Sequence, residues 1–170
     1  MPAVDTPAGL LSRQVVFSIA TRSPFEFVDI TAMLARTVDG CGLREGVVHV
    51  QTRHTTTAVL INEHEPLLLE DLRNLFDRLV PSAGPYLHDD FSQRIVNVLP
   101  GERVNGAAHC RAALLRASES VTVTDGRLNL GRWQRVFVVE FDGPQSRDVS
   151  VSMLGTFWRT AGTGRNPDGI

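Results

Sequence analysis

The C-terminal third of the sequence restricts the fold more than any other part of it. Three of its segments alternate apolar and polar residues, which is the period of a β-strand: SVTVT, RLNL and RDVSVSMLGTF. A fourth segment, RWQRVFVVEFDG, is also predicted to be a strand. The dipeptide Asp125-Gly126 separates the first two segments, and Asp-Gly in such a position predicts a tight β-hairpin. Two-residue turns join antiparallel strands, so this part of the chain predicts an antiparallel sheet.

The rest of the chain combines strands with helices. Strands are predicted at RQVVFSIAT, GVVHVQTR and TTTAVLINE. Helices are predicted where apolar residues recur at helical spacing, at 29–42, 65–80 and 105–116. Asp29 and Asn105 are the predicted N-caps of the first and third helices, and Pro66 suits the first turn of the second. Because regular βαβ alternation is absent, we predict an α+β fold, with helices packed on a mixed, mainly antiparallel sheet.

The length of 170 residues favours a single domain. We place this domain at 13–158, after a flexible lead-in at 1–12 and before a disordered tail at 159–170. Within the domain, residues 81–104 form a long irregular connection that contains three prolines. Connections of that length in compact domains are usually functional or mobile.

The composition argues against several classes of partner. The formal net charge is -2 and the charges are interspersed, which favours neither nucleic acid nor an anionic membrane as a partner. No apolar run reaches the roughly 18 residues of a transmembrane helix, and the N-terminus lacks the pattern of a secretory signal. We therefore expect a cytoplasmic protein. Cys41 and Cys110 have no metal or redox spacing and are predicted to be free thiols.

Three of the five histidines are candidates for chemistry. His54 begins the strand segment HTTTAVLINE, His88 lies in the long connection, and His109 lies near a helix N-terminus. The helix dipole at that end lowers the pKa of His109 and favours the neutral imidazole, which can bind a metal or accept a proton. No short spacing such as H-E-x-x-H links the three. His49, inside a strand, and His64, in a turn, are interpreted as structural or solvated.

Several other polar or aromatic residues could have either a structural role or a role in a functional site. Glu63 is either a base or, preferably, a cap for the following helix, and Asp125 suits its turn without any activity. Trp133 lines a pocket or lies in the core. Glu140 interrupts the apolar run VFVVE, where burial requires a partner. No Walker loop, G-x-G-x-x-G or G-x-S-x-G motif occurs, so we expect no nucleotide cofactor and no serine-hydrolase chemistry.

Several motifs together resemble those of the YjbQ family. They are HTTTAVLINE, DL-x-x-L-x-x-L-x-P, YLHDD, NGAAH, VTVTDGRLNLGRWQRVFVVEFDGP and VSV, in that order between about Phe17 and Leu154. Members of this family are commonly labelled secondary thiamine-phosphate synthases. The resemblance implies an α+β homotrimer with a pocket near a subunit boundary.

The same resemblance implies which residues form the site. The motif histidines His54, His88 and His109 are the catalytic or metal-binding candidates. Further residues are implied around them: Asn62, Glu63, Asn105, Asp125, Trp133 and Gln134. The sequence departs from the family pattern at Cys110, which is a packing change. It also departs at Gln145-Ser146, where an arginine is usual, and this removes a cation that could meet an anionic ligand.

Three functions stay open from the sequence. Thiamine-phosphate synthesis requires magnesium, for which Asp89-Asp90 is the suitable pair, and cations for the phosphates, which Arg94, Arg103 and Arg111 could supply. Three histidines instead suit zinc with an open position, with Glu63 as the general base of a hydrolase or lyase. The third function is a non-catalytic, trimeric module that binds a phosphorylated or otherwise anionic small molecule.

Overall fold

The computed structural model describes residues 9–158. The predicted tail at 159–170 lies outside the described residues, as does most of the predicted lead-in, and the first strand begins at Leu11. In chain order the elements are β1 (Leu11–Ala20), β2 (Glu26–Asp29), α1 (Thr31–Cys41), β3 (Leu43–Thr52), β4 (Thr57–Glu63), α2 (Pro66–Leu79), a 3₁₀ turn (Leu87–Asp89), α3 (Gly106–Ala113), β5 (Ser118–Thr124), β6 (Arg127–Leu128), β7 (Gln134–Glu140) and β8 (Ser146–Phe157).

The strands form two sheets rather than the single sheet that was predicted. One has the order β1-β8-β3-β5-β6 and the other the order β2-β7-β4. Every pairing between these strands is antiparallel. The predicted hairpin joins β5 to β6, and both of its turn residues have positive φ, 47° at Asp125 and 72° at Gly126. The α+β class is therefore confirmed.

The three-stranded sheet is buried on both faces, which explains its continuous apolar run. Val136 and Val138 of β7 pack in one apolar cluster with α1 and the five-stranded sheet. Phe137 and Val139, on the other face of β7, pack with α2 and α3. A strand between two apolar layers has no polar face, so VFVV replaces the usual alternation. Burying each of these side chains stabilises the fold by roughly 1.5–3 kcal/mol.

The five-stranded sheet contributes the other large part of the core. Val149, Val151 and Met153 of β8 are fully buried. The backbones of β3 and β8 approach closely where Gly46 is paired with Gly155. A Cβ atom on Gly155 would lie 2.0 Å from the carbonyl oxygen of Glu45, so this close approach requires glycine.

Pro66 lies in the first turn of α2 and Asn105 is the N-cap residue of α3, as predicted, although the side chain of Asn105 makes no capping hydrogen bond. The other capping contacts differ from the prediction. The side chain of Glu65, not Glu63, caps α2 by accepting from the backbone N–H groups of its first turn. Asp29 lies one residue before the N-cap of α1 and accepts from Thr31 N at 2.9 Å. The start of α3 is capped from a distance: Oδ1 of Asp89 accepts from the N–H groups of Asn105 at 3.0 Å and Gly106 at 2.8 Å. The 3₁₀ turn and α3 are therefore held together.

Within residues 9–158, none of the helices combines the length and apolar character needed to span a membrane.

Candidate functional site

A cavity of about 710 Å³ lies where β4 begins. Its wall is formed by the loop between β3 and β4, the 3₁₀ turn, residues 94–105, the first turn of α3 and the loop before β8. The three candidate histidines all line it, together with four arginines: His54, His88, His109, Arg53, Arg94, Arg103 and Arg147. The structure thus brings together histidines that no sequence spacing linked.

His54 is held as a neutral imidazole of defined tautomer. The backbone N–H of Asp148 donates to its Nε2 at 2.8 Å, so this nitrogen carries no proton. In the neutral ring the proton is then on Nδ1, which makes Nδ1 a hydrogen-bond donor. Burial lowers the pKa of His54, and the positive charge of Arg147 lowers it further.

His88 and His109 lie against each other in the wall of the same cavity. Their ring centroids are 4.5 Å apart. Burial lowers the pKa of His109, and the neighbouring His88 lowers it further. This direction agrees with the expectation from the sequence, although burial is the main cause. Nε2 of His88 is enclosed and makes no hydrogen bond within the described part of the chain.

A buried ion pair holds an arginine at the cavity. Glu140 is 0% exposed and Arg147 is 4% exposed. Nε and Nη2 of Arg147 donate to the two carboxylate oxygens of Glu140 at 2.6 and 2.7 Å, and Nη2 also donates to Thr56 Oγ1 at 3.1 Å. Burial alone would raise the pKa of Glu140, but the hydrogen bonds from Arg147 and from the backbone N–H of Asp142 hold it below its ordinary value. The partner that the sequence required for Glu140 is therefore Arg147.

The other arginines of the wall differ in how fully they are paired. Arg94 donates to Glu102 at 2.8 Å, and Arg103 lies 3.5 Å from a carboxylate oxygen of Asp142. Arg53 is half exposed and lies 3.9 Å from Asp148, which leaves it the most available of the four.

The sequence analysis predicted one arginine at the site that lies elsewhere, and it did not predict two of the four arginines that line the cavity. Arg111 does not line this cavity, because it is buried and donates to the carbonyl oxygen of Val80 at the end of α2. Arg53 and Arg147 were not predicted as site residues. Glu140 in an apolar run was the available signal for Arg147. The departure at Gln145-Ser146 does not remove the cation from this region, because Arg147 supplies one.

Five further residues that were predicted for the site do not line this cavity. Antiparallel pairing places Thr57 opposite Glu140 at the cavity end, and Glu63 opposite Gln134 at the other end of the same strands. Six residues of strand separate the two ends by about 20 Å. Asn62, Glu63 and Gln134 are therefore remote from the cavity. Asp125 and Trp133 are also absent from its wall.

These remote residues have local structural roles or are exposed. Trp133 is 60% exposed, so it lies neither in the core nor in this cavity. Gln134 accepts a hydrogen bond from the backbone N–H of Gly131 and closes a turn. Asp125 occupies the hairpin turn. Glu63 is too far from the histidines of its own chain to act as their general base. Asn105, by contrast, does line the cavity.

The metal centres expected from the sequence are not formed by the residues as they stand. Nowhere in residues 9–158 do three or more His, Cys, Asp or Glu side chains come close enough together to hold a metal ion. The lone pair on Nε2 of His54 is engaged by the Asp148 N–H. Asp89 caps α3, and Asp90 accepts from Ser92 and Gln93 in its own turn, so both carboxylates of this pair already accept hydrogen bonds within the protein.

Comparison with known sequences gives a consistent result over most of the chain. Residues 15–156 match the sequence model described as UPF0047 protein YjbQ-like. A UPF0047 protein of Archaeoglobus fulgidus is 41% identical over 137 residues, which cover 81% of this chain and 98% of the relative. The UPF0047 protein YugU of Bacillus subtilis is 31% identical over 138 residues, which cover 81% of this chain and 96% of that protein.

Solved structures agree with the sequence comparison. A YbjQ-like protein of unknown function from Sulfolobus solfataricus has a TM-score of 0.77 and 29% identity, covering 87% of this chain and 100% of that one. A hypothetical protein from Aeropyrum pernix has a TM-score of 0.74 and 32% identity, covering 85% and 99%. The chain belongs to the YjbQ-like UPF0047 family.

Proposed function

We propose that the cavity is the active site of an enzyme that acts on a small phosphorylated molecule. The observation that carries this proposal is that three histidines and four arginines line one cavity of about 710 Å³. Its volume is in the usual range for small-molecule sites. Each of the four guanidinium groups has a carboxylate partner, but only two of these partners, Glu102 and Asp142, are among the described residues that line the wall. Guanidinium groups therefore outnumber carboxylates at the cavity surface, and their fork of donors suits phosphate oxygens.

The geometry suggests different roles for the arginines and for the histidines of the cavity wall. Arg147, fixed by Glu140, and the more exposed Arg53 supply positive charge for phosphate oxygens. His54 adds a donor at Nδ1. His109, whose low pKa favours the neutral form, is suited to accept a proton from the substrate.

We further propose weak thiamine-phosphate synthesis as a secondary activity, since the resemblance implies it. In that reaction a C–N bond forms between the thiazole nitrogen and the pyrimidine methylene group. The C–O bond to pyrophosphate breaks, and pyrophosphate leaves with the bonding electrons. Arginines that bind phosphate would stabilise this leaving group.

The test is formation of thiamine phosphate from the pyrimidine pyrophosphate and the thiazole phosphate in the presence of Mg²⁺. Wild type is compared with His54→Ala and His109→Ala, and with His49→Ala as the matched control. His49 lies on β3, bonded to Ser120 and away from the cavity. We expect product from wild type and His49→Ala, and a loss of at least tenfold in the two cavity variants. Equal rates in all four proteins would refute the assignment. A rise in melting temperature with these compounds but no turnover would instead support the non-catalytic binding module.

A metal-dependent hydrolase or lyase is the second candidate. It is favoured by the unpartnered Nε2 of His88 and by the neighbouring ring of His109. Zinc is the favoured ion because imidazole suits it, and magnesium is the alternative. His54 would have to leave its bond with Asp148 N to become a third ligand. Elemental analysis of purified wild type and His88→Ala tests this directly: a transition metal near one equivalent, lost in the variant, supports it, and metal-free wild type contradicts it.

We also propose that the chain assembles as a homotrimer. Exposed apolar side chains in and around the long connection support self-association: Leu87 is 79% exposed, Ile95 89%, Leu99 70% and Val104 67%. Sedimentation equilibrium of wild type and Ile95→Asp tests the proposal. Trimer in wild type and a weaker assembly in the variant are expected, whereas a monomeric wild type would overturn it.

A further inference from the structure

The side-chain amide of Asn105 has one defined orientation. Its Nδ2 donates to Oδ2 of Asp142 at 3.1 Å. An ionised carboxylate can only accept, so the nitrogen of the amide must be on that side. Asp142 is itself fixed, because Gln145 donates to the same oxygen at 3.1 Å and Arg103 lies 3.5 Å from the other. The amide oxygen Oδ1 is therefore an acceptor directed away from Asp142.

This acceptor has no donor within the described part of the chain. Oδ1 of Asn105 is enclosed and makes no hydrogen bond within residues 9–158, and the same is true of Nε2 of His88. Both residues line the cavity. The cap formed by Asp89 holds the two chain segments next to each other, since Asp89 follows His88 and binds the N–H of Asn105. Enclosed polar groups of this kind normally bind water or a ligand.

We infer that Asn105 selects ligands that carry a hydrogen-bond donor, a hydroxyl or neutral amino group, in addition to phosphate. Such a group donates to Oδ1 of Asn105 and can accept from Nε2 of His88 when that nitrogen is protonated. A fully ionised phosphate or carboxylate cannot take this position, because its oxygens carry no proton to donate. An apolar group in that place would leave Oδ1 of Asn105 without a donor, so a ligand with an apolar group there should bind less tightly.

This inference rests on the proposed function, in which arginines bind the phosphate end of the ligand. It adds that a second group of the ligand, apart from the phosphate, is polar and uncharged. The cavity then distinguishes hydroxylated or aminated phosphate compounds from simple alkyl phosphates. Because Asn105 lies next to the segment that carries His88, the hydroxyl or amino group that it binds would lie near the two imidazoles.

The test uses ribitol 5-phosphate and n-pentyl phosphate as probes. The first has a hydroxyl group on every carbon that lacks the phosphate, so no particular hydroxyl position is assumed, and the second has none. Calorimetric titration gives the affinity ratio of the two compounds for wild type and for Asn105→Leu, which removes the acceptor at similar volume. Asn129→Leu is the matched control, since Asn129 is exposed and bonded to Thr122 outside the cavity wall. Asn105→Ala replaces Asn105→Leu if the latter does not fold.

We expect the ratio in favour of ribitol 5-phosphate to fall about tenfold in Asn105→Leu and to stay unchanged in Asn129→Leu. If both compounds bind and the ratio is the same in all three proteins, the inference about Asn105 is wrong while the phosphate site stands. If neither compound binds wild type, the proposed function fails and the inference fails with it.

Discussion

Replacing Glu140 with glutamine tests how strongly the buried ion pair supports the cavity. Glutamine keeps an acceptor for the backbone N–H groups of Phe141 and Asp142, which now donate to Oε1 at 3.0 and 2.8 Å. It removes the charge opposite Arg147 and places an NH₂ group against a donor. Because Glu140 is fully buried and Arg147 is 4% exposed, the remaining charge has little access to water.

The expected cost is that of breaking a buried ion pair, about 3–5 kcal/mol in the free energy of unfolding. For a chain of this size, that corresponds to a decrease of roughly 6–20 °C in melting temperature. Urea unfolding followed by circular dichroism measures the free energy. Adding Arg147→Met to Glu140→Gln removes the unpaired charge, so the double variant should recover at least half of the loss.

The result that refutes this reasoning is a Glu140→Gln variant within about 1 kcal/mol of wild type, or a double variant no more stable than the single one. A second measurement follows the site itself. The negative charge of Glu140 raises the pKa of His54, so Glu140→Gln should lower that pKa further. Titration of the His54 ring by NMR gives the direction of the shift.

Three further predictions concern pH, packing and capping. Burial lowers the pKa of His54 and of His109 in the folded protein, so the unfolded chain binds more protons once the pH falls below about 6.5, the ordinary histidine pKa. The free energy of unfolding should therefore decrease as the pH falls below that value, and the decrease should be smaller in the His54→Gln, His109→Gln double variant. Gly155→Ala should lower the melting temperature by several degrees, because its Cβ would lie 2.0 Å from the Glu45 carbonyl oxygen, and an unchanged value would contradict the close approach. Asp89→Ala should cost about 0.5–2 kcal/mol in urea unfolding, because it removes the cap of α3, and no change would show that the cap does not contribute.

Local patterns predicted the secondary structure better than the sheet arrangement. The helix with the stripe of leucines is observed at Pro66–Leu79, and the Asp125-Gly126 hairpin is confirmed. The division into two sheets was not predicted, because alternation in a strand does not identify its neighbours. The continuous run VFVV was a signal for a strand buried on both faces, and it was interpreted only as β-structure.

The site was predictable where a residue stood out against its surroundings. Glu140 in an apolar run predicted a buried partner, but the partner could not be named from sequence because it depends on how β7 and β8 return toward each other. His54, His88 and His109 were candidates from their local settings and were grouped by the resemblance, and all three line one cavity. Glu63 was grouped with them because it ends the same strand motif as His54. Strand length was the overlooked quantity, since an extended strand carries its two ends far apart.

The length of β4 also bears on how the protein can be handled in the laboratory. Dyes, affinity tags or surface linkers attached near Glu63 and Trp133 would sit at the opposite end of a rigid strand from the histidines, and should leave ligand titrations undisturbed. A thiol reagent would behave differently, since Cys110 is exposed and directly follows His109. An immobilised sample should therefore be anchored through an engineered cysteine at the far end, with Cys110 replaced by serine.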